Sequence, residues 1–164
     1  MKLLRKLPLL ALFTILTYSC STDSVDDQVE AITENLVVPT AKTIEIEILE
    51  LINNHRLSEG LNPLNALPVV KSVAYTHTDY MVDNAVVSHD NFYTRSSYLK
   101  NNAGAKIVSE NVAYGYTSAQ SVVNAWIRSE GHKANIEGDF TNFEISAEQN
   151  SEGKWYYTNI FIKK

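Results

Sequence analysis

The chain has 164 residues, 45% of them apolar and 20% charged, with a formal net charge of −5 at pH 7. These totals fit one globular domain of roughly 120–130 residues beside a leader, and they argue against a nucleic-acid partner, because no basic stripe exists to neutralise phosphates. A single cysteine, Cys20, rules out an intramolecular disulfide, so packing alone must hold the domain.

Residues 1–19 open with Lys2, Arg5 and Lys6, run apolar from Leu7 to Leu16, and close on Thr17-Tyr18-Ser19 before Cys20. The run is too short to span a membrane and has the flanks of a signal peptide. A small residue directly before the first cysteine resembles a bacterial lipoprotein signal, in which Cys20 becomes the acylated N-terminus. The alternative is a plain secretory signal with a stray cysteine. Residues 20–42 are acidic (Asp23, Asp26, Asp27, Glu30, Glu34) and carry no sustained period, so they read as a flexible tether between membrane and domain.

The domain proper is expected over residues 43–164. Thr43 is the expected N-cap of a first helix with Ile44, Ile48, Leu51 and Ile52 on one face and Gly60 past its end. His55 continues that face and reads as a boundary histidine. A second helix is expected from Leu67 to Val86, with His77 inside its apolar stripe and read as packing. The period breaks at Ser88-His89-Asp90-Asn91-Phe92, which places His89 in a loop at a helix end. A short helix near Ser96–Leu99 and a loop over Asn101–Gly104 lead to Ser109-Glu110-Asn111-Val112-Ala113, read as loop-like, and then to Tyr114-Gly115-Tyr116. Ser118 caps a third helix with Val122, Val123, Trp126 and Ile127 inward. That helix is expected to break at Gly131 and present His132 just beyond. At the end, Phe143–Gln149 alternates, Ser151-Glu152-Gly153 turns, and Trp155–Ile162 is apolar on both faces, the mark of a strand covered twice. Helices followed by a terminal hairpin predict an α+β sandwich.

His89, His132 and Glu110 bring two imidazoles and a carboxylate, the residue types of a metal or acid–base site. Such a set can hold Zn²⁺ with water in the fourth position and activate that water. The same groups without metal can close a cavity floor as a hydrogen-bonded network. No Gly-x-Ser-x-Gly or His-Glu-x-x-His occurs, so no nucleophile or zincin motif accompanies them.

Four ordered stretches resemble the CAP superfamily (cysteine-rich secretory proteins, antigen 5 and pathogenesis-related 1 proteins; SCP domains). They are Asn54-His55-Arg56 with Gly60-Leu61-Asn62-Pro63-Leu64, the His89 motif, Ser109-Glu110-Asn111-Val112-Ala113-Tyr114-Gly115, and Trp126-x-x-Ser129-x-Gly131-His132-Lys133-x-Asn135-Ile136. The resemblance covers about residues 42–162. It implies a three-layer α–β–α sandwich and a cavity lined by His89, Glu110, Asn111, Ser129 and His132. In some members that cavity binds a divalent metal, here through His89 and His132 and with zinc as one candidate. Where eukaryotic members carry a fourth, acidic residue this chain has Ser129; Glu130 or Glu144 are candidates to supply it, and neither is fixed by spacing. Together with the lipoprotein-like leader, which anchors through Cys20, the resemblance implies an envelope-anchored or secreted bacterial protein that binds a lipid, small ligand or protein partner outside the cell. A metal-dependent, peptidase-like hydrolase using His89, Glu110 and His132 is the alternative.

Overall fold

Helix α1 (Thr43–Ser58) begins where Lys42, in extended conformation, acts as N-cap and donates its N–H to the Glu45 carboxylate at 2.7 Å. The expected cap, Thr43, is therefore already helical. Gly60 ends the helix in the left-handed region (φ 74°), which only glycine occupies without strain. The computed structural model describes residues 36–164. The expected signal peptide, Cys20 and the tether up to residue 35 lie outside the described residues. Within residues 36–42, Leu36 packs on the core beneath the second helix and Lys42 pairs with Glu148, so the packed unit reaches back of residue 43.

In order, α1 is followed by β1 (Asn65–Ala66), α2 (Pro68–Asp83), α3 (Phe92–Ala103), β2 (Ile107–Tyr114), α4 (Ala119–Arg128), α5 (Glu130–Ile136), β3 (Asn142–Gln149) and β4 (Trp155–Lys163). The strands form one sheet in the order β1-β3-β4-β2. β4 is central, antiparallel to both β2 and β3, and β1 pairs in parallel with the start of β3. Residues 156–162 of β4 are all buried, as expected of a doubly covered strand. One core joins α1, α4 and α5 to the odd-numbered side chains Phe143, Ile145, Tyr157 and Phe161. The other joins α2 and α3 to Ile160 and Ile162 on the opposite face. The fold is a three-layer α–β–α sandwich.

Four further expectations change. α2 stops at Asp83, short of Val86, because Ala85 turns the chain with positive φ (49°). α3 is a full helix rather than a short turn followed by a loop. Its buried positions include Thr94, Arg95 and Ser96, so no apolar stripe announces it, and Gly104 (φ 68°) ends it. Glu110 and Asn111 lie in strand β2, not in a loop; both are buried and polar, which hides the period of two. Finally, the helix expected to break at Gly131 breaks at Ser129, which is extended (φ −96°, ψ 118°), and His132 stands within α5.

Candidate functional site

β2 pairs with β4 along one side only, so its other side is an edge of the sheet. Successive strand residues point to opposite faces. Glu110 therefore faces the α2/α3 layer beside Ile160, and Asn111 faces the α4/α5 layer beside Asn159. This alternation divides the candidate site into two halves that meet over the free edge.

On the first side, the Glu110 side chain is 1% exposed. Its Oε1 accepts Nδ1–H of His89 and Nη2–H of Arg95, each at 2.8 Å, and its Oε2 accepts Nε–H of Arg95 at 2.8 Å. Arg95 also donates Nη1–H to the Asp90 carbonyl at 2.6 Å, which ties α3 to the His89 loop. His77 Nε2 donates to the Ser88 carbonyl at 2.8 Å and lies 3.8 Å from Glu110 Oε1. Burial pushes the Glu110 pKa up, but the bonds from His89 and Arg95 outweigh it and hold the carboxyl below its ordinary range. Burial, then the neighbouring Arg95 charge, pushes His77 down and keeps it neutral. The His89 ring is half exposed.

On the second side, His132 Nδ1 pairs with Ser129 Oγ at 2.9 Å, and the His132 carbonyl accepts from Asn111 Nδ2 at 3.1 Å. Asn135 Nδ2 reaches Asn111 Oδ1 (2.8 Å) and the Glu110 carbonyl (3.3 Å), fastening α5 to the strand. Trp126 Nε1 donates to the Val112 carbonyl at 3.2 Å. Burial and then the His89 charge lower the His132 pKa, so the two imidazoles sense each other across the edge. Open cavities flank the edge. One of about 320 Å³ is lined by Tyr114, Tyr116, Trp126, Ser129 and His132 among others. The second, of about 240 Å³, lies against His89, Phe92 and Glu110.

All five cavity residues expected from the sequence gather along this edge. The two candidates for a missing carboxylate do not join them. Glu130 is exposed on α5 and Glu144 lies on β3, bonded to the backbone of Ile145 and Leu67. Arg95 and His77 are the additions. Both oxygens of Glu110 are engaged by Arg95, and Oε1 by His89 as well. His89 and His132 each use Nδ1 internally and keep Nε2 for a partner. Among the described residues the three-residue cluster whose ligand atoms lie within 4.8 Å of one another is elsewhere, at His55, Glu59 and Glu137.

The model of the cysteine-rich secretory protein (CAP) family matches residues 49–161. The chain is 31% identical over 126 residues to an uncharacterized membrane protein, YlbC, of Bacillus subtilis (strain 168), spanning 74% of this chain and 35% of that protein. It is 29% identical over 124 residues to the uncharacterized protein YkwD of the same organism, spanning 73% of this chain and 47% of YkwD. The chain thus spans less than half of either relative. Among solved structures, an extracellular protein containing an SCP domain from Bacillus anthracis str. Ames superposes with a TM-score of 0.64 at 27% identity, over 73% of this chain and 40% of that one. An outer surface protein from Borrelia burgdorferi superposes with a TM-score of 0.65 at 21% identity, over 71% of this chain and 90% of that one, a likeness of fold.

Proposed function

Since the chain belongs to the cysteine-rich secretory protein (CAP) family, we propose that it is a binding module displayed outside the cell, whose ligand lies along the free edge of β2. The observation that carries this reading is the state of Glu110. Its carboxylate is neutralised by Arg95 and serves to orient His89, while His89 and His132 each line an open cavity. The machinery is built to present two imidazoles, and the walls beside His132 are aromatic. That lining suits a small amphipathic molecule with an acidic or acceptor group for His132 and an apolar part for Tyr114, Tyr116 and Trp126. Display outside the cell agrees with the extracellular SCP protein and the membrane protein among its relatives. The lipoprotein-like sequence at Cys20 supports anchoring through an acyl chain.

Decanoate is a suitable probe of this cleft, read by Trp126 fluorescence in a Trp155→Phe background. Saturable quenching that weakens at least tenfold in His132→Ala and in Tyr114→Ser supports the cleft. A wild-type signal that does not saturate, or that both variants retain, refutes it.

A second reading has one observation in its favour. A metal-bound histidine commonly donates its other ring N–H to a carboxylate, and His89 Nδ1 does so to Glu110. His89 and His132 would then hold a divalent ion through Nε2, with Glu110 behind them. This gives two protein ligands, fewer than the three of an open catalytic zinc site. The hydrolase alternative therefore needs a ligand that the described residues do not bring to the edge. Zinc bound at one equivalent and lost in His89→Ala/His132→Ala would support the metal reading.

A further inference from the structure

Away from the β2 edge, the last turn of α1 meets the end of α5. His55 and Glu59 are spaced i, i+4, so they share one face of α1 at its C-terminus. Glu137, the C-cap of α5, comes from the other side, and its Oε1 already takes His55 Nε2–H at 2.8 Å. One nitrogen and two carboxylate oxygens thus lie within 4.8 Å of one another. Ligand atoms about 2.0–2.2 Å from a tetrahedral zinc stand roughly 3.3–3.6 Å apart, so the set needs only a modest closing, most simply by the exposed Glu59 onto the half-buried His55 and Glu137.

Two further features shape the spot. The C-terminal end of a helix carries partial negative charge, and His55 and Glu59 occupy that end of α1 while Glu137 occupies that of α5. The competing cation is Lys133, 42% exposed and 3.4 Å from the same Glu137 oxygen. Such a solvent-exposed i, i+4 pair is weak and yields easily to a divalent ion. Arg56 nearby is engaged elsewhere, donating to the carbonyls of Asn62, Ile136 and Gly138.

We propose that His55, Glu59 and Glu137 form a binding site for a divalent transition metal of the zinc type, which clamps the end of α5 to α1. An imidazole with two carboxylates favours zinc over calcium or magnesium, which prefer all-oxygen shells. The clamp has a consequence for the cleft, because α5 carries His132 and Asn135.

Zinc titration of the full chain by calorimetry tests the site, with far-UV circular dichroism to verify folding. The expected result is one zinc equivalent whose affinity falls at least tenfold in His55→Ala and in the exposed-site variant Glu59→Gln, and is kept in His89→Ala/His132→Ala. Should His55→Ala fail to fold, Glu59→Gln alone decides the matter. Absence of zinc binding by the wild type, or binding lost only when His89 and His132 are removed, overturns the proposal. The latter outcome points to the cleft, so this site and the cleft metal stand or fall separately.

Discussion

Replacing Arg95 by methionine isolates the electrostatic design of the site. Methionine keeps much of the side-chain volume but removes both N–H bonds to Glu110 and the bond to the Asp90 carbonyl. A charge-assisted bond contributes about 1.5–3 kcal/mol, so the two to Glu110 set a gross loss of roughly 3–6 kcal/mol. Breaking one partner from a buried ion pair costs about 3–5 kcal/mol, in agreement. The loss should depend on pH. In the wild type the carboxyl is held below its ordinary range, so its contribution is present above the unfolded pKa of about 4.3 and is lost as pH falls through the folded value. Without Arg95 the buried carboxyl can take up a proton, and the deficit relative to wild type should shrink in acid toward about 1 kcal/mol, the share of the Asp90 bond and packing. Urea denaturation at pH 7 and pH 4 measures the neutral deficit and its decline toward that limit. A deficit below about 1 kcal/mol at pH 7, or one that is the same at both pH values, would refute the reasoning.

Other consequences are as direct. His77 and His132 are both held below the ordinary imidazole value, so the unfolded chain takes up protons first. The stability they permit is complete above about pH 6.5 and falls as pH drops through their folded values. The urea midpoint should therefore decline between pH 7.5 and 5.5, and His77→Gln should flatten that decline. Trp126→Phe removes the bond to the Val112 carbonyl and part of a fully packed ring, with an expected cost of about 2–3 kcal/mol by denaturation. Ser118→Ala removes the acceptor for Ser121 N–H at the start of α4 and should cost about 1 kcal/mol. Gly60→Ala should cost about 1 kcal/mol from its left-handed φ alone, since a Cβ there meets nothing within 4 Å.

The terminal hairpin, α1 and α4 were legible because each buries apolar residues at the period of its own element. β2 and α3 were not, for one shared reason. Their buried positions include Glu110, Asn111, Thr94, Arg95 and Ser96, and polar burial erases the contrast that periodicity depends on. The four motifs brought His89, Glu110, Asn111, Ser129 and His132 into one neighbourhood. They gave no sign that Arg95 holds Glu110, because an arginine among serines and a threonine reads as exposed until a buried carboxylate is known to need it. Glu45 likewise reads as a dipole-favouring surface residue. It is 1% exposed and paired at 2.7 Å with Lys71.

Glu45 and Glu110 have a common physical role, and it explains why polar residues collect where they do. A sheet edge presents unpaired N–H and C=O groups that must be satisfied or shielded. β1 covers only the start of β3, at Asn142 and Phe143. Beyond it, Glu45 from α1 accepts the Ala147 N–H and Lys71 from α2 donates to the Ile145 carbonyl, so one ion pair seals that edge and joins the two helical layers around it. At the opposite edge, Asn135 and Trp126 take the carbonyls of Glu110 and Val112, while Glu110 itself binds Arg95 and His89 from the other layer. The two seals differ in what they leave over. Lys71 and Glu45 are consumed by each other and by backbone, with 5% and 1% of their side chains exposed. The β2 seal ends in His89, with 53% of its side chain in solvent, and in His132 beside an open cavity. An edge of this kind must be closed by polar groups in any case. The candidate site is the edge whose closure retains two imidazoles with a ring nitrogen to offer.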